Sequence, residues 1–116
     1  MTIEEYLIDY LSDALSVPVS GSVPHPLPGE FVVVQLTGET VVNMIPTAQI
    51  HIDGYSTSRA AAAVLGRQIY DAMARLPAQP EVSRYALDSL YNDTDLELNK
   101  PRDSAIFEVI YLFTED

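Results

Sequence analysis

Apolar residues recur along this chain with two periods, and the changes of period mark the elements. Over residues 3–15 a helical wheel collects Ile3, Leu7, Tyr10, Leu11 and Ala14 on one side, with Ile8 and Leu15 at its border. That spacing predicts an amphipathic helix, and Thr2 followed by Glu5 fits a capping box at its start. Glu5, Asp9 and Asp13 fall at i, i+4 and i+8, so they form one acidic stripe. Like charges at that spacing repel by about a few tenths of a kcal/mol per pair. The helix N-terminus offsets this for Glu5 but not for Asp13.

The stretch 17–30 is rich in proline (Pro18, Pro24, Pro26, Pro28), which has no N–H to give a sheet. It reads as an irregular edge strand followed by an extended loop. FVVVQLTG (31–38) is β-branched and apolar on both faces until Gln35, which predicts a buried strand. Gly38–Glu39 is the expected turn, with VVNMI (41–45) as a returning arm that Pro46 interrupts. TAQIHIDGY (47–55) alternates, with Ala48, Ile50 and Ile52 on one face and Gln49, His51 and Asp53 on the other.

Residues 56–77 return to the helical period, capped by Ser56 or Ser58 and stopped by Pro77. Ala61, Leu65, Ile69, Ala72, Met73 and Leu76 share the apolar face. The other side mixes Arg59, Arg67, Arg75, Gln68 and Asp71 with alanines and Val64. Small residues of that kind let another surface approach closely, and alanine is also simply the best helix former. VSRYALDSLY (82–91) and SAIFEVIYLF (104–113) read as the last strands. The loop 92–103 between them is polar except for Leu96 and Leu98, which either prolong the strand or anchor the loop on a partner. Strands mostly follow strands directly. The expectation is an α+β fold, a mainly antiparallel sheet with two helices packed on one face, as a single domain over residues 1–116.

Composition narrows the function. The 116 residues carry a net charge of −11, and the absence of cysteine excludes disulfides, thiolate metal sites and thiol catalysis. An acidic chain is poorly suited to hold a phosphate backbone. The start of the chain is acidic where a signal peptide would be basic, and no apolar run approaches a membrane span, so a soluble protein with no membrane partner is expected. The charge is also segregated. Residues 1–58 hold seven acidic groups and no Lys or Arg, whereas 59–84 hold four arginines against Asp71 and Glu81. Opposite charge on separate elements is what complementary contacts between copies need.

Catalytic signatures are missing. The chain has no phosphate loop, dinucleotide fingerprint, nucleophile elbow or zincin motif. His51 and Asp53 share a strand face, but two ligands do not make a metal site. The seven tyrosines suit core or interface positions better than base stacking, because no basic groove accompanies them. A binding or structural role, without cofactor or metal, is expected rather than an enzyme.

QIHIDGYSTSRAAAAVLGRQIYDAM (49–73) resembles the middle of the tail-terminator, or tail-completion, proteins of long-tailed phages. In both, a strand ends in a polar residue and an aromatic, and a Ser/Thr-rich cap leads into an Ala-rich helix carrying Arg. The order of the remaining elements agrees across nearly the whole chain, from the N-terminal helix to the aromatic strand FEVIYLF (107–113). The resemblance implies a virion protein of the tail or neck, assembled in the host cytoplasm. It would form a homo-oligomeric ring, commonly a hexamer, on the head-proximal end of the tail tube. Its partners would be the tail tube protein and a head-completion or connector protein, with DNA only passing through the lumen. Head–tail joining proteins of the neck are an alternative of similar size, and a small ligand-binding domain or enzyme of α+β build is another. Glu5, Asp9 and Asp13 against Arg59, Arg67 and Arg75 are the candidate subunit contacts. Asp93, Asp95 and Glu97 are candidates for a loop that lines the lumen or meets a partner.

Overall fold

The computed structural model describes residues 2–113. Helix α1 (Ile3–Ala14) begins at the predicted cap. The Thr2 hydroxyl accepts the Glu5 amide at 3.0 Å and donates to the Glu5 carboxylate at 3.2 Å. Ile3, Leu7 and Leu11 are buried. Ala14 is exposed rather than part of the apolar face, and Leu15 is the C-cap.

Five strands follow: β1 (Val19–Ser20), β2 (Phe31–Val42), β3 (Ile45–Tyr55), β4 (Val82–Asn92) and β5 (Arg102–Tyr111), with helix α2 (Arg59–Ala74) between β3 and β4. They form one sheet in the order β1-β2-β3-β5-β4. Every pairing is antiparallel except β1 with β2. The α+β architecture read from the sequence is the one observed.

The largest local difference is the first hairpin. β2 runs straight through Gly38 and Glu39, and the turn lies at Asn43–Met44, between the paired Val42 and Ile45. Asn43 and Met44 have φ of 52° and 65°, the positive pair of a type I′ turn, whose twist matches that of the flanking strands. Gly38 instead follows a bulge between Leu36 and Gly38. There the Thr37 hydroxyl donates to the Gln49 carbonyl at 3.2 Å, and the Leu36 amide donates to the Glu4 carboxylate at 2.8 Å. Glu4 thus fastens α1 to β2. Pro46 does not interrupt β3. It pairs with Val41 beyond the reach of β5, whose pairing begins at Thr47, so its missing N–H breaks no second ladder.

α2 is shorter than its wheel suggested. Ser58 is the cap, accepting the Ala61 amide at 3.1 Å, and Leu76–Ala78 form a separate 3₁₀ turn containing Pro77. The buried face carries Ala62 and Gly66 in place of Ala61. The last strand spans 102–111 rather than 104–113, because Arg102 and Asp103 pair with β3 and β4. Phe113 lies beyond it and packs on Tyr6 and Tyr111, with ring centroids 5.3 and 5.0 Å away.

Both helices cover the same sheet face. Val32, Val34, Ala48, Ile50, Ile52, Ala105, Phe107 and Val109 meet Ile3, Leu7, Leu11, Leu65, Ile69 and Met73 in the main core. Glycine is needed at position 54, where a Cβ would stand 3.0 Å from Ile69 Cδ1 and 3.2 Å from Leu65 Cγ. On the outer face a second cluster forms from Phe31, Val33 and Tyr55, with the Phe31 and Tyr55 rings stacked at 4.4 Å. No helix among the described residues is long and apolar enough to cross a membrane.

Candidate interaction surfaces

The helix layer places the two charged faces apart. α1 packs over β1 and β2, whereas α2 packs mainly over β5 and β3 and less over β4, so the two helices cover different halves of the sheet. Glu5, Asp9 and Asp13 are all exposed. Glu5 is held by the Thr2 cap; Asp9 and Asp13 belong to no ion pair among the described residues. Arg59, Arg67 and Arg75 are exposed as well. Arg67 lies 3.8 Å from Asp71 and 5.2 Å over the Tyr70 ring. A solvated pair of that length contributes little and leaves Arg67 able to meet another partner.

Arg75 differs from the other two. It lines a cleft of about 320 Å³ between the helices with Ala14, Leu15, Ser16, Gln68 and Asp71. This puts its charge beside the C-terminal end of α1, where a cation is favoured. The helices are joined nearby, where the Tyr10 hydroxyl donates to the Ala72 carbonyl at 2.6 Å. Burial pushes the Tyr10 hydroxyl pKa up, and the nearby Arg75 opposes this.

The loop between β4 and β5 folds back over the outer face. Leu98 packs on the Phe31–Val33–Tyr55 cluster, while Leu96 is 87% exposed. Asp95 organises the loop by accepting the Glu97 and Leu98 amides at 3.0 and 3.1 Å. Arg102 then binds Asp93 at 2.8 Å, Asp95 at 3.4 Å and the Tyr55 hydroxyl at 3.1 Å. The Leu98 amide above all, with Tyr55 and Arg102 adding to it against the cost of burial, holds the Asp95 carboxyl below its ordinary range. Burial, the largest influence, pushes the Tyr55 hydroxyl up. Asp93 and Asp95 are therefore matched within the chain. Of the three acidic candidates in this loop, only Glu97 is exposed and free of a side-chain partner among the described residues. Sequence spacing missed Arg102 as the hub, because nothing local links it to Tyr55.

His51 Nε2 lies 3.2 Å from Asp53 Oδ1, and buried Ser104 donates to that same oxygen at 2.7 Å. The serine bonds the carboxylate rather than the imidazole, so this trio lacks the nucleophile–base contact that acyl transfer requires. No group of three or more His, Cys, Asp or Glu that could hold a metal occurs among the described residues.

The chain matches no protein-family model, and none of the curated proteins compared with it matches either.

Proposed function

We propose that this protein is a structural ring component of a long-tailed phage, seated on the head-proximal end of the tail tube. The observation that carries the reading is the placement of acidic α1 over the β1–β2 side of one sheet and of α2, with exposed Arg59 and Arg67, over its β3–β5 side. A closed ring requires a heterologous contact, in which two different patches of the same subunit meet. Patches of opposite charge on two different helices suit that geometry, since every copy can offer acid to one neighbour and base to the other. Resemblance of residues 49–73 to tail-terminator proteins supplies the biological setting.

The mechanism is occupancy and involves no covalent step. The terminal ring covers the surface onto which the next tube ring would add, and its far side offers the head a docking surface. DNA passes through the bore. A net charge of −11 per copy makes such a bore repel phosphate rather than hold it. Arg102 already offsets Asp93 and Asp95, so of the three acids in this loop the repulsion falls to Glu97.

Negative-stain electron microscopy of the protein, alone and mixed with purified tail tubes, tests the reading. Rings or capped tube ends are expected, and Arg67→Glu is expected to weaken them. Tubes that never acquire a cap would overturn it. Undiminished assembly of Arg67→Glu would remove the charged contact from it.

A further inference from the structure

Thioethers are the readiest oxidation targets in this chain. The sequence holds neither cysteine nor tryptophan, so a peroxide meets no thiol or indole that would compete for it. Of the three methionines, Met1 lies outside the described residues, and the other two differ in access. Met73 is fully buried on α2, in the main core with Leu65, Ile69 and Ala72. Met44 is 87% exposed at the tip of the β2–β3 hairpin.

The turn itself keeps the Met44 side chain in the open. Asn43 and Met44 are its two positive-φ residues, between the paired Val42 and Ile45. β1 pairs with β2 only at Val32 and Val33, and the pairing of β5 with β3 begins at Thr47, so no third strand reaches the tip. Val41, Val42 and Ile45 beside it are exposed and apolar, which leaves the thioether as the one oxidisable atom there. With hydrogen peroxide the Sδ lone pair attacks one peroxide oxygen. The S–O bond forms as the O–O bond breaks, and the proton on the transferred oxygen goes to the departing one, which leaves as water. Sulfur is oxidised by two electrons and the peroxide is reduced by two. The sulfoxide is polar where the thioether was not. At Met44 this new dipole faces solvent. At Met73 it would stand in the core without a partner, which is costly.

We propose that Met44 is a reversible modification site for peroxides, at which sulfoxide formation turns the apolar hairpin tip polar and leaves the fold intact. Methionine sulfoxide reductases, one for each sulfoxide epimer, supply the reverse step. None of this chemistry requires a ring.

The test treats the folded full-length protein with hydrogen peroxide and follows the added oxygen by peptide mass spectrometry. Cleavage after Glu39 and Asp53 isolates Met44 from Met1, and cleavage after Asp71 and Glu81 isolates Met73. Met44 is expected to oxidise at least tenfold faster than Met73 in the folded chain and at the same rate in denaturant. Comparable rates in the folded chain, or a difference that persists in denaturant, overturn the assignment. The Met44 sulfoxide form should keep the thermal midpoint of the untreated protein, bind a hydrophobic-interaction matrix less tightly, and return to the original retention after treatment with both reductases. A lowered midpoint, or retention that does not change on oxidation, overturns the proposed consequence. Met44→Leu, which keeps the apolar bulk without the sulfur, should show the untreated retention before and after peroxide; a shift in this variant would place the reactive group elsewhere and overturn the proposal.

Discussion

Replacing Met44 by glycine should make the isolated chain more stable. Met44 sits at φ 65° in the hairpin turn, in the left-handed region where a Cβ crowds the following carbonyl. That crowding costs about 1–2 kcal/mol for an L-residue. Glycine removes it but loses roughly 0.5–1 kcal/mol more conformational entropy on folding. The side chain is 87% exposed, so its removal forfeits almost no burial. The balance is a gain of about 0.5–1 kcal/mol. With an unfolding entropy of roughly 2.1 cal/mol/K per residue, a chain of 116 residues gains about 2–4 °C in Tm. Thermal unfolding followed by circular dichroism measures this directly. Asn43→Gly is the internal control and should gain less, because asparagine tolerates the left-handed region. An unchanged or lowered Tm for Met44→Gly would refute the turn geometry and the strain argument with it.

Other outcomes follow from the packing. Gly66→Ala should destabilise by about 1–2 kcal/mol in urea titration although alanine is the better helix former by about 1 kcal/mol, because overpacking outweighs the propensity. A Cβ there would lie 2.6 Å from Asp103 Oδ2 and 2.9 Å from Asp103 Cβ, and the second of these sits next to the backbone and cannot swing away. Arg102→Met should cost about 2 kcal/mol by the same measurement, since it leaves Asp95 and the Tyr55 hydroxyl without their shared partner. Stability should also fall at alkaline pH. Burial, then hydrogen bonds to Glu81 and Glu39, push the Tyr6 and Tyr111 hydroxyls up to about 12 from an ordinary value of 10.0. A folded pKa above the unfolded one means the folded chain binds more protons in that window, so the contribution is complete below pH 10 and is lost as pH rises toward 12. Tyr6→Phe and Tyr111→Phe together should flatten that slope in pH-dependent denaturation.

Much of the fold was legible because its signals are local. The i, i+4, i+8 spacing of Ile3, Leu7 and Leu11, the Thr2 and Ser58 caps, and the alternation of Ala48, Ile50 and Ile52 each depend on residues within one or two turns. The hairpin turn was misplaced for a related reason. Gly38 is a strong local turn signal, but the bulge and its bonds to Gln49 and Glu4 absorb it, and those partners lie far along the chain. Asn43 was the available clue, since asparagine favours the positive φ it adopts there.

The two helices, the apolar alternation of the strands and the segregation of acid from base are written in the linear chain, because patterning and charge are properties of residue order. What the charges face is set by the packing of distant segments. It spent Asp93 and Asp95 on Arg102, turned Arg75 toward the end of α1, and left Asp9, Asp13 and Arg59 to solvent. It also lifted Val41, Val42 and Met44, a plain apolar run in the sequence, clear of every other strand but their own hairpin partner. Partnership across the sheet depends on register and strand order, and these are settled by contacts between segments distant in sequence, which no local pattern encodes.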